Sequence, residues 1–285
     1  MSIQNFWFSY KNILRNEFIK KKYFSLSRKI IGVLSKFIIR FFRHKFSINC
    51  TNLDKLDIED FLDYELNDLF IKFNCDKGSY FIQDQKKILS HNYSAFYEKY
   101  FKPFKNKKIN LLELGSHEGK GLASFFFYFS NSKLYGANIN PFQMRFESIR
   151  ITELFVDVSN QKILNSLSHH LKRDFDIIID DASHNLRDII ITFLIFFKKL
   201  KSKGVYVIED INQLKVFKEL NPYKNEITPI EILKKIQKKE HFQSSFLTEN
   251  DKEYLFNNIE SIKIEKGSMI IEEENVSEIA FIFKK

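Results

Sequence analysis

The chain has few of the residues that mark several common classes of site. It contains only two cysteines, Cys50 and Cys75, and no CxxC pair. This content excludes a disulfide framework and a thiolate zinc site. It suits a reducing compartment, so we expect a cytoplasmic protein.

Long apolar runs are also missing. A membrane-spanning helix needs about 20 predominantly apolar residues in succession, and lysines and arginines interrupt the apolar stretch at residues 22–45. The basic start of the chain has no clean apolar segment and no small-residue cleavage site, so we expect no signal peptide.

Two common phosphate-binding patterns are absent from the stretch INLLELGSHEGKG at residues 109–121. No Gly-Lys-Ser/Thr follows it, which excludes a P-loop, and the spacing of Gly115, Gly119 and Gly121 is not GxGxxG. What is present is an aliphatic segment, residues 109–114, which predicts a short strand buried on both faces. A glycine turn and a helical run at residues 122–129 follow it.

This order of strand, glycine turn and helix brings backbone N–H groups close to a ligand at a helix N-terminus. Glu113 lies near the carboxyl end of the strand and faces the same crevice. The pattern therefore indicates a ligand-binding turn, although a tight turn that binds nothing stays open as an alternative.

The net charge of +9 comes from one end of the chain. Residues 1–45 contain 11 lysines and arginines and a single acidic residue, Glu17, whereas the remainder holds 34 basic and 35 acidic residues. Because the main body is almost neutral, the high isoelectric point does not argue for a nucleic-acid groove, and we expect no nucleic-acid partner.

Within this basic end, residues 22–45 have apolar side chains at helical spacing. A basic amphipathic helix can lie on an anionic membrane surface, which would make the protein membrane-peripheral. The alternative is a helix that packs on the main domain or on a second subunit of a homo-oligomer. We treat residues 1–50 as a basic amphipathic helical extension.

Residues 51–105 form a helical lead-in. Residues 51–73 are acidic, with apolar side chains at helical spacing, which predicts a helix or a pair of helices. A turn at Asp76-Lys77-Gly78 follows, and an aromatic helix around Tyr97 ends before Pro103. We interpret this segment as a cap over the sheet edge and assign no function to any single residue in it.

From residue 106 to residue 285, strands and helices alternate, which predicts an α/β domain with a mostly parallel, doubly wound sheet. The predicted strands are residues 109–114, 134–139, 154–158, 175–180 and 205–208. The predicted helices are residues 141–151, 161–171 and 184–200. Late strands are expected at residues 259–264, 269–273 and 279–283, the last two as an antiparallel hairpin.

Acidic side chains follow three of these strands, at the edge where ligands bind in parallel sheets. Asp180 and Asp181 follow the fourth strand, Glu209 and Asp210 follow the fifth, and Glu113 lies near the end of the first. Like charges so close raise one another's pKa and cost stability unless a cation or hydrogen-bond donors neutralise them. Asp181, Glu209 and Asp210 offer the hard oxygen ligands that Mg²⁺ prefers.

His184 begins the next helix, three residues after Asp181, and can reach the same edge. A neutral histidine can take a proton from a hydroxyl near pH 7. Structural alternatives stay open, because one of Asp180 and Asp181 could cap this helix or be a structural carboxylate, and Ser183 could also cap it. Acid clusters at two neighbouring strand ends are hard to explain by capping alone, so we favour a functional role for the cluster.

Taken together, these motifs resemble the macrocin/mycinamicin sugar O-methyltransferase family. That family is similar to the cephalosporin-hydroxylase-like group within the class I S-adenosylmethionine (SAM) methyltransferases. The matching motifs are Glu113-x-Gly115-x-x-x-Gly119, Tyr135-Gly136-Ala137-Asn138, Ile179-Asp180-Asp181-Ala182-Ser183-His184 and Tyr206-Val207-Ile208-Glu209-Asp210. Upstream, Asp76-Lys77-Gly78-Ser79, His91-x-Tyr93 and Tyr97-Glu98 are similar to the family's lead-in. The resemblance covers residues 75–215, about half of the chain.

The resemblance implies a Rossmann-like class I methyltransferase domain at residues 106–285 and SAM-dependent, Mg²⁺-assisted methyl transfer to a sugar hydroxyl. It implies that Asp181, Glu209 and Asp210 hold the metal and that His184 is the general base. It also implies donor-binding roles for seven residues, namely Glu113, Gly115, Ser116, Gly119, Asn138, Asp157 and Asp180. The implied acceptor is a sugar-containing small molecule or a nucleotide-linked glycan.

One residue departs from the family pattern. The family has an acidic residue at the end of the second strand to accept from the ribose hydroxyls, whereas this chain has Asn138. The amide carbonyl of asparagine can still accept a hydrogen bond. Asp157 is expected either to orient the adenine amine or to be a structural carboxylate.

Two alternatives to sugar O-methylation stay open. The first is a methyltransferase-fold protein with another small-molecule specificity, such as a hydroxylase-like one. The second is a non-catalytic scaffold in glycan assembly.

Overall fold

The structure is a computed structural model of the chain, and it describes residues 3–20, 50–223 and 225–285 together with Gly32 and Ser35. The basic segment at residues 22–45 lies outside the described residues apart from those two positions. Its binding to a membrane surface or to a protein surface therefore stays a prediction. No helix in the described part of the chain is both long enough and apolar enough to cross a membrane.

A seven-stranded sheet forms the centre of the domain. Its strands are β1 (Ile109–Leu114), β2 (Ser132–Asn138), β3 (Ile151–Phe155), β4 (Phe175–Asp180), β5 (Leu200–Ile208), β6 (Ile259–Lys266) and β7 (Glu278–Lys284). Their order across the sheet is β6-β7-β5-β4-β1-β2-β3. Neighbours among β1–β5 are parallel, and β7 is antiparallel to β5 and to β6. The predicted α/β fold with a mostly parallel sheet and a C-terminal antiparallel hairpin is confirmed.

Helices and short elements connect these strands in the described residues. The α-helices are α1 (Ile3–Ile19), α2 (Leu66–Lys72), α3 (Ser94–Phe101), α4 (Lys120–Tyr128), α5 (Gln161–His170), α6 (Leu186–Phe197), α7 (Pro229–Lys238) and α8 (Glu249–Asn258). Two-stranded pairs join Thr51–Asn52 to Phe146–Glu147, Tyr80–Gln83 to Lys86–Leu89, and Ile270–Ile271 to Glu274–Asn275. Short 3-10 turns occur at Leu53–Lys55, Glu59–Phe61, Lys102–Phe104, Pro141–Gln143, Gln213–Lys215 and Lys218–Leu220.

The central strands are apolar on both faces, so the sheet has a core on each side. In β1, Leu112 and Leu114 pack into the core on one face, while Ile109 and Leu111 pack into the core on the other. This division follows from the alternation of side chains along a strand. The short aliphatic run that predicted a buried strand therefore contributes to both cores.

The register of the central strands places their carboxyl ends at one level. Leu114 of β1 pairs with Asp180 of β4, and Asp180 pairs with Ile208 of β5. The direction of chain progression reverses between β1 and β4, and such a switch leaves a crevice at the carboxyl ends of the strands. The residues that directly follow the three strands therefore meet at one edge.

Helix α1 packs against β3 and α5. Phe6 and Ile13 are buried in a small apolar cluster with Phe155 and Ile163. The Ser9 hydroxyl oxygen accepts a hydrogen bond from the backbone N–H of Phe155 at 3.1 Å. The described part of the N-terminal extension thus shares a core with the domain, while the boundary at residue 50 stays a prediction.

The helix predicted at residues 141–151 is wrong. A 3-10 turn at Pro141–Gln143 and a short strand at Phe146–Glu147 occupy this range, and the strand pairs with Thr51–Asn52. The Arg145 N–H donates to the carbonyl of Glu118 at 2.9 Å. Backbone pairing with other segments therefore replaces the bonds between residues i and i−4 that a helix would need.

Two other segments differ in detail from the prediction. The hairpin partners at the C-terminus are β6 and β7, and the segment between them forms the separate pair Ile270–Ile271 and Glu274–Asn275. Its three consecutive glutamates, residues 272–274, leave that segment without an apolar face for the core. Residues 51–73 form one α-helix, α2, after two 3-10 turns.

The packing of α1 predicts a stability effect. Ile13 is 7% exposed, so replacing it with alanine should lower the free energy of unfolding by about 2–5 kcal/mol, measured by chemical denaturation. Ile149→Ala is the matched control, because Ile149 is 95% exposed and its loss should cost less than about 0.5 kcal/mol. Equally small effects for the two variants would contradict the packing of α1 on the domain.

Candidate active site

A pocket of about 670 Å³ opens at the carboxyl ends of β1, β2 and β4. Small-molecule sites in proteins commonly occupy about 300–1,000 Å³. Five of the seven predicted donor-binding residues line it, namely Glu113, Gly115, Ser116, Asn138 and Asp157. Lys77 and Asp181 line it as well, so the pocket reaches the acidic edge of the sheet.

Gly115 makes the close turn at the bottom of this pocket. Its φ is +91°, a conformation that residues with side chains rarely adopt. A Cβ at this position would lie 1.8 Å from the carbonyl oxygen of Asp181, so the turn can approach the end of β4 only with glycine here. Gly119, with a φ of +81°, precedes α4 and shapes the turn without lining the pocket.

Two buried polar atoms of pocket-lining residues have no hydrogen-bond partner among the residues that the structure describes. They are Glu113 Oε2 and Ser116 Oγ. Glu113 is 2% exposed, and its burial raises the pKa to about 7 despite the opposite effect of Lys77. Because buried polar atoms are normally paired, these two atoms suit a polar ligand in the pocket.

The side chain of Lys77 lies among three carboxylates. Its Nζ is 2.5 Å from Asp181 Oδ2, 2.8 Å from Glu209 Oε1 and 3.6 Å from Glu113 Oε1, and the side chain is only 3% exposed. Burial alone lowers the pKa of this lysine, but the carboxylates raise it well above its usual value. The lead-in therefore supplies an internal cation to the acidic strand ends.

Three further side chains of the lead-in hold the carboxylates that follow β5. The Tyr97 hydroxyl donates to Glu209 Oε1, and the Tyr93 hydroxyl donates to Asp210 Oδ1 at 2.5 Å. His91 Nδ1 lies 3.1 Å from the same oxygen of Asp210. Burial alone lowers the pKa of His91, but its contact with Asp210 raises that pKa to about 9.

Asp181, His184 and Asp210 form a group that could hold a metal ion. Among the described residues, one ligand atom from each lies within 4.8 Å of the others, and His184 Nε2 is 3.6 Å from Asp181 Oδ1. His184 and Asp210 both have a φ of +52°, which is uncommon for residues other than glycine. Strained backbone of this kind concentrates at functional sites.

This group fits a divalent cation. It offers two carboxylates and one imidazole, and the Asp181 and His184 side chains are partly exposed, which leaves room for water or substrate oxygens. Glu209, the third ligand implied by the resemblance, is not part of this group, and Lys77 and Tyr97 contact its Oε1. The implied and observed sets therefore share Asp181 and Asp210.

Asp157 lines the pocket, but its carboxylate already accepts hydrogen bonds from a side chain of α1 and from a side chain just after α1. Its Oδ2 accepts from Lys20 Nζ at 2.5 Å and from Asn16 Nδ2 at 2.7 Å, and its Oδ1 accepts from Ser159. Lys20 lines the pocket too, so the N-terminal extension forms part of the wall. The role of Asp157 toward the adenine amine stays a prediction.

Asn138 lies at the end of β2, where the family pattern has an acidic residue. Its Nδ2 donates to the carbonyl of His117 at 3.3 Å, and its Oδ1 accepts from the Ile139 N–H at 2.8 Å. These contacts hold the amide at the wall of the pocket.

Asp180 lies beneath the pocket and not in its lining, in contrast to the donor-binding role implied by the sequence. Successive residues of a strand point to opposite faces, so Asp181 faces the crevice while Asp180 Oδ2 accepts from the Tyr206 hydroxyl at 3.1 Å. Burial raises the pKa of Asp180 to about 8. We therefore leave Asp180 out of the proposed donor site.

Helix α6 is capped by Asn185, so the capping alternative for Asp180, Asp181 and Ser183 does not hold. The Asn185 side chain accepts from the backbone N–H two residues later at 3.2 Å. Ser183 Oγ instead donates to Asp188 Oδ2 at 2.9 Å.

Sequence reasoning missed the functional part of the lead-in, where four side chains contact the acidic edge: Lys77, His91, Tyr93 and Tyr97. An indirect signal was present. The five residues after each of β1, β4 and β5 include no lysine or arginine. A cluster of carboxylates needs neutralising groups, so these had to come from elsewhere in the chain.

Comparison with known proteins adds sequence relatives. No family model matches the chain. The 8-demethyl-8-alpha-L-rhamnosyl tetracenomycin-C 2'-O-methyltransferase of Streptomyces olivaceus is 30% identical over 128 residues, which cover 42% of this chain and 33% of that protein. Demethylmacrocin O-methyltransferase of Streptomyces fradiae is 29% identical over 42% of this chain and 32% of its own. The chain thus spans about a third of the length of the curated relatives it matches.

Solved structures decide the fold. The MycE methyltransferase from the mycinamycin biosynthetic pathway, in complex with Mg and SAH, has a TM-score of 0.57 at 20% identity, covering 78% of this chain and 54% of that one. The chain has the class I methyltransferase fold. In this class I methyltransferase fold, the pocket beside Gly115 and the acidic edge lie at the switch point between β1 and β4. The predicted resemblance to sugar O-methyltransferases is confirmed.

The contact of His91 with Asp210 predicts a pH dependence of the stability of this domain. Because contact with Asp210 raises its pKa from 6.5 to about 9, the folded state binds the proton more tightly than the unfolded state. The resulting stabilisation of about 3 kcal/mol is complete below about pH 6.5 and is lost as the pH rises through about 9.

Denaturation at pH 6 and pH 10 in a chelator-containing buffer measures this loss. His91→Gln should reduce the difference by about 3 kcal/mol, and the raised pKa values of Glu113 and Asp180 account for a further part of it. His169→Gln, at an exposed histidine, should retain the whole difference. An unchanged pH dependence in His91→Gln would contradict the assignment.

Proposed function

We propose that this chain is a SAM-dependent O-methyltransferase that acts on a sugar hydroxyl with the help of a divalent cation. One observation carries the proposal: the pocket beside Gly115 and the Asp181–His184–Asp210 group lie at one edge of the sheet and share Asp181. A hydroxyl held at the acidic group would therefore lie beside a methyl donor in the pocket. The O-methyltransferase relatives support this proposal.

Donor binding would use the glycine turn and the floor of the pocket. Glu113 Oε2 and Ser116 Oγ have no hydrogen-bond partner in the described part of the chain and would form hydrogen bonds with the methyl donor. Asn138 would accept from a ribose hydroxyl through its amide carbonyl, and Gly115 and Gly119 keep the turn open. When bound, SAM supplies an activated methyl group on a positively charged sulfur, beside the Glu113 carboxylate.

Asp181 and Asp210 would hold a divalent cation such as Mg²⁺, with His184 beside them. A bound divalent cation supplies positive charge that lowers the pKa of a nearby sugar hydroxyl. MycE, which shares the fold, was solved with Mg and SAH. Glu209 as a third ligand stays a prediction, since it requires this carboxylate to leave Lys77 or to be shared with it.

His184 is the proposed general base. Its side chain is 19% exposed and lies beside Asp181 at the mouth of the site. The neutral imidazole would take the proton of the acceptor hydroxyl. The acceptor oxygen then bonds to the methyl carbon as the carbon–sulfur bond breaks, and the proton passes from His184 to solvent. The remaining residues of the site act by positioning and by charge neutralisation.

The proposed acceptor is a sugar-containing small molecule or a nucleotide-linked glycan. The relative from Streptomyces olivaceus is named for a rhamnosyl tetracenomycin, and MycE was also solved with Mg, SAH and mycinamycin VI. Cytoplasmic location, peripheral membrane contact through residues 22–45 and homo-oligomer formation are further proposals. The first rests on the low cysteine content, and the other two rest on the composition and spacing of the basic extension.

Titration calorimetry with SAM, with and without Mg²⁺, tests the donor site, and SAH release tests turnover on a panel of glycosylated small molecules and nucleotide sugars. We expect SAM to bind and at least one acceptor to be methylated in a reaction that a chelator stops. Donor binding without turnover on any sugar would favour another small-molecule specificity. A lack of SAM binding would favour the non-catalytic scaffold and contradict the proposal.

Replacing His184 with alanine should lower kcat by about 10²–10⁴-fold, because a general base contributes a factor of that size. The Kd of SAM should stay within about threefold of the wild-type value, since His184 does not line the donor pocket. His241→Ala, at an exposed histidine, is the control. A kcat within about threefold of wild type in His184→Ala would refute the base assignment.

A further inference from the structure

Lys77 takes no part in the methyl-transfer chemistry proposed above, yet it is buried within the site. Four carboxylates meet there: Glu113, Asp181, Glu209 and Asp210. Lys77 contacts the first three, at 3.6, 2.5 and 2.8 Å, and His91 contacts the fourth at 3.1 Å. Both positive groups come from the lead-in and not from the sheet.

The position of Lys77 is fixed by its surroundings. The Lys77 carbonyl accepts from the Tyr93 N–H at 2.9 Å, which ties the turn to the start of α3. A Cβ on Gly121 would lie 2.7 Å from Glu113 Oε1 and 3.2 Å from Lys77 Cε. The glycine therefore leaves the space in which the lysine and Glu113 meet.

The count of charges suggests what this arrangement does. When fully ionised, the four carboxylates carry four negative charges, of which Lys77 and His91 balance two. One divalent cation at the Asp181–His184–Asp210 group would balance the other two. Without Lys77, the same group of carboxylates would attract a cation more strongly, because a nearby positive charge opposes cation binding.

We propose that Lys77 is a positioning residue that serves as an internal counter-ion and weakens divalent-cation binding. It holds Glu209 and one oxygen of Asp181, which leaves the other Asp181 oxygen and Asp210 to hold the cation, with His184 beside them. This inference rests on the proposed function, since it concerns the cation of that site.

Lys77→Met keeps most of the length of the side chain and removes its charge. Calorimetric titration of the full chain with Mn²⁺ and with Mg²⁺ should show a Kd at least about tenfold lower than in the wild type. In a chelator the variant should melt at a lower temperature than the wild type. Saturating Mn²⁺ should raise the melting temperature of the variant by more than it raises that of the wild type. Unchanged or weaker cation binding in a folded Lys77→Met variant would overturn the proposal.

A second pair of variants covers the case in which Lys77→Met does not fold. Glu209→Gln and the double variant Lys77→Met/Glu209→Gln differ only in the lysine, and the double variant keeps the wild-type net charge. The double variant should bind Mn²⁺ at least about tenfold more tightly than Glu209→Gln. Equal or weaker binding by the double variant would overturn the proposal as well.

Lys201→Met is the control for loss of a lysine that pairs with a carboxylate away from the site. It removes a lysine that pairs with Asp176 at 2.8 Å near the amino ends of β4 and β5, and its Mn²⁺ affinity should stay within about twofold of the wild type. The wild-type titration separates the two proposals. If the wild type binds no divalent cation, the proposed function and this inference both fail, whereas normal wild-type binding without tightening in Lys77→Met defeats only the inference.

Discussion

The candidate site depends on one buried ammonium group placed among carboxylates from three strand ends. Lys77 Nζ lies within 2.5–3.6 Å of Asp181, Glu209 and Glu113. Removing one partner of a buried ion pair typically costs about 3–5 kcal/mol, because the other charge is left uncompensated. Without the positive charge that the lead-in supplies, the acidic residues at the carboxyl ends of β1, β4 and β5 would lie close together uncompensated. The lead-in is therefore as much a part of the site as the sheet is.

The sheet and its acidic edge could be predicted from the sequence because their signals are local. The predicted first and fourth strands coincide with β1 (Ile109–Leu114) and β4 (Phe175–Asp180), where a majority of apolar residues marks strands buried on both faces. Alternation of strands and helices then predicts a mostly parallel sheet, and in a parallel sheet the carboxyl ends of the strands lie at one edge. That reasoning placed Asp181, His184 and Asp210 together without any knowledge of their distances.

The partners of these residues could not be predicted, because they are distant in the chain and carry no local periodicity. Lys77 meets Asp181 across 104 positions, Tyr93 meets Asp210 across 117, and Asn16 meets Asp157 across 141. The strand pairing that replaces the predicted helix at residues 141–151 is also long-range, since it joins Phe146–Glu147 to Thr51–Asn52. Whether a predicted ligand such as Glu209 is available or already held depends on such contacts.

The central claim is that a methyl donor and a divalent cation share the mouth of the sheet, with Asp181 between them. A crystal structure of the full chain with Mn²⁺ and SAH, using the anomalous signal of manganese, measures both positions at once. The account predicts one anomalous peak bounded by Asp181, His184 and Asp210, with SAH in the pocket beside Gly115. A manganese peak away from these side chains, or SAH bound outside that pocket, would contradict it.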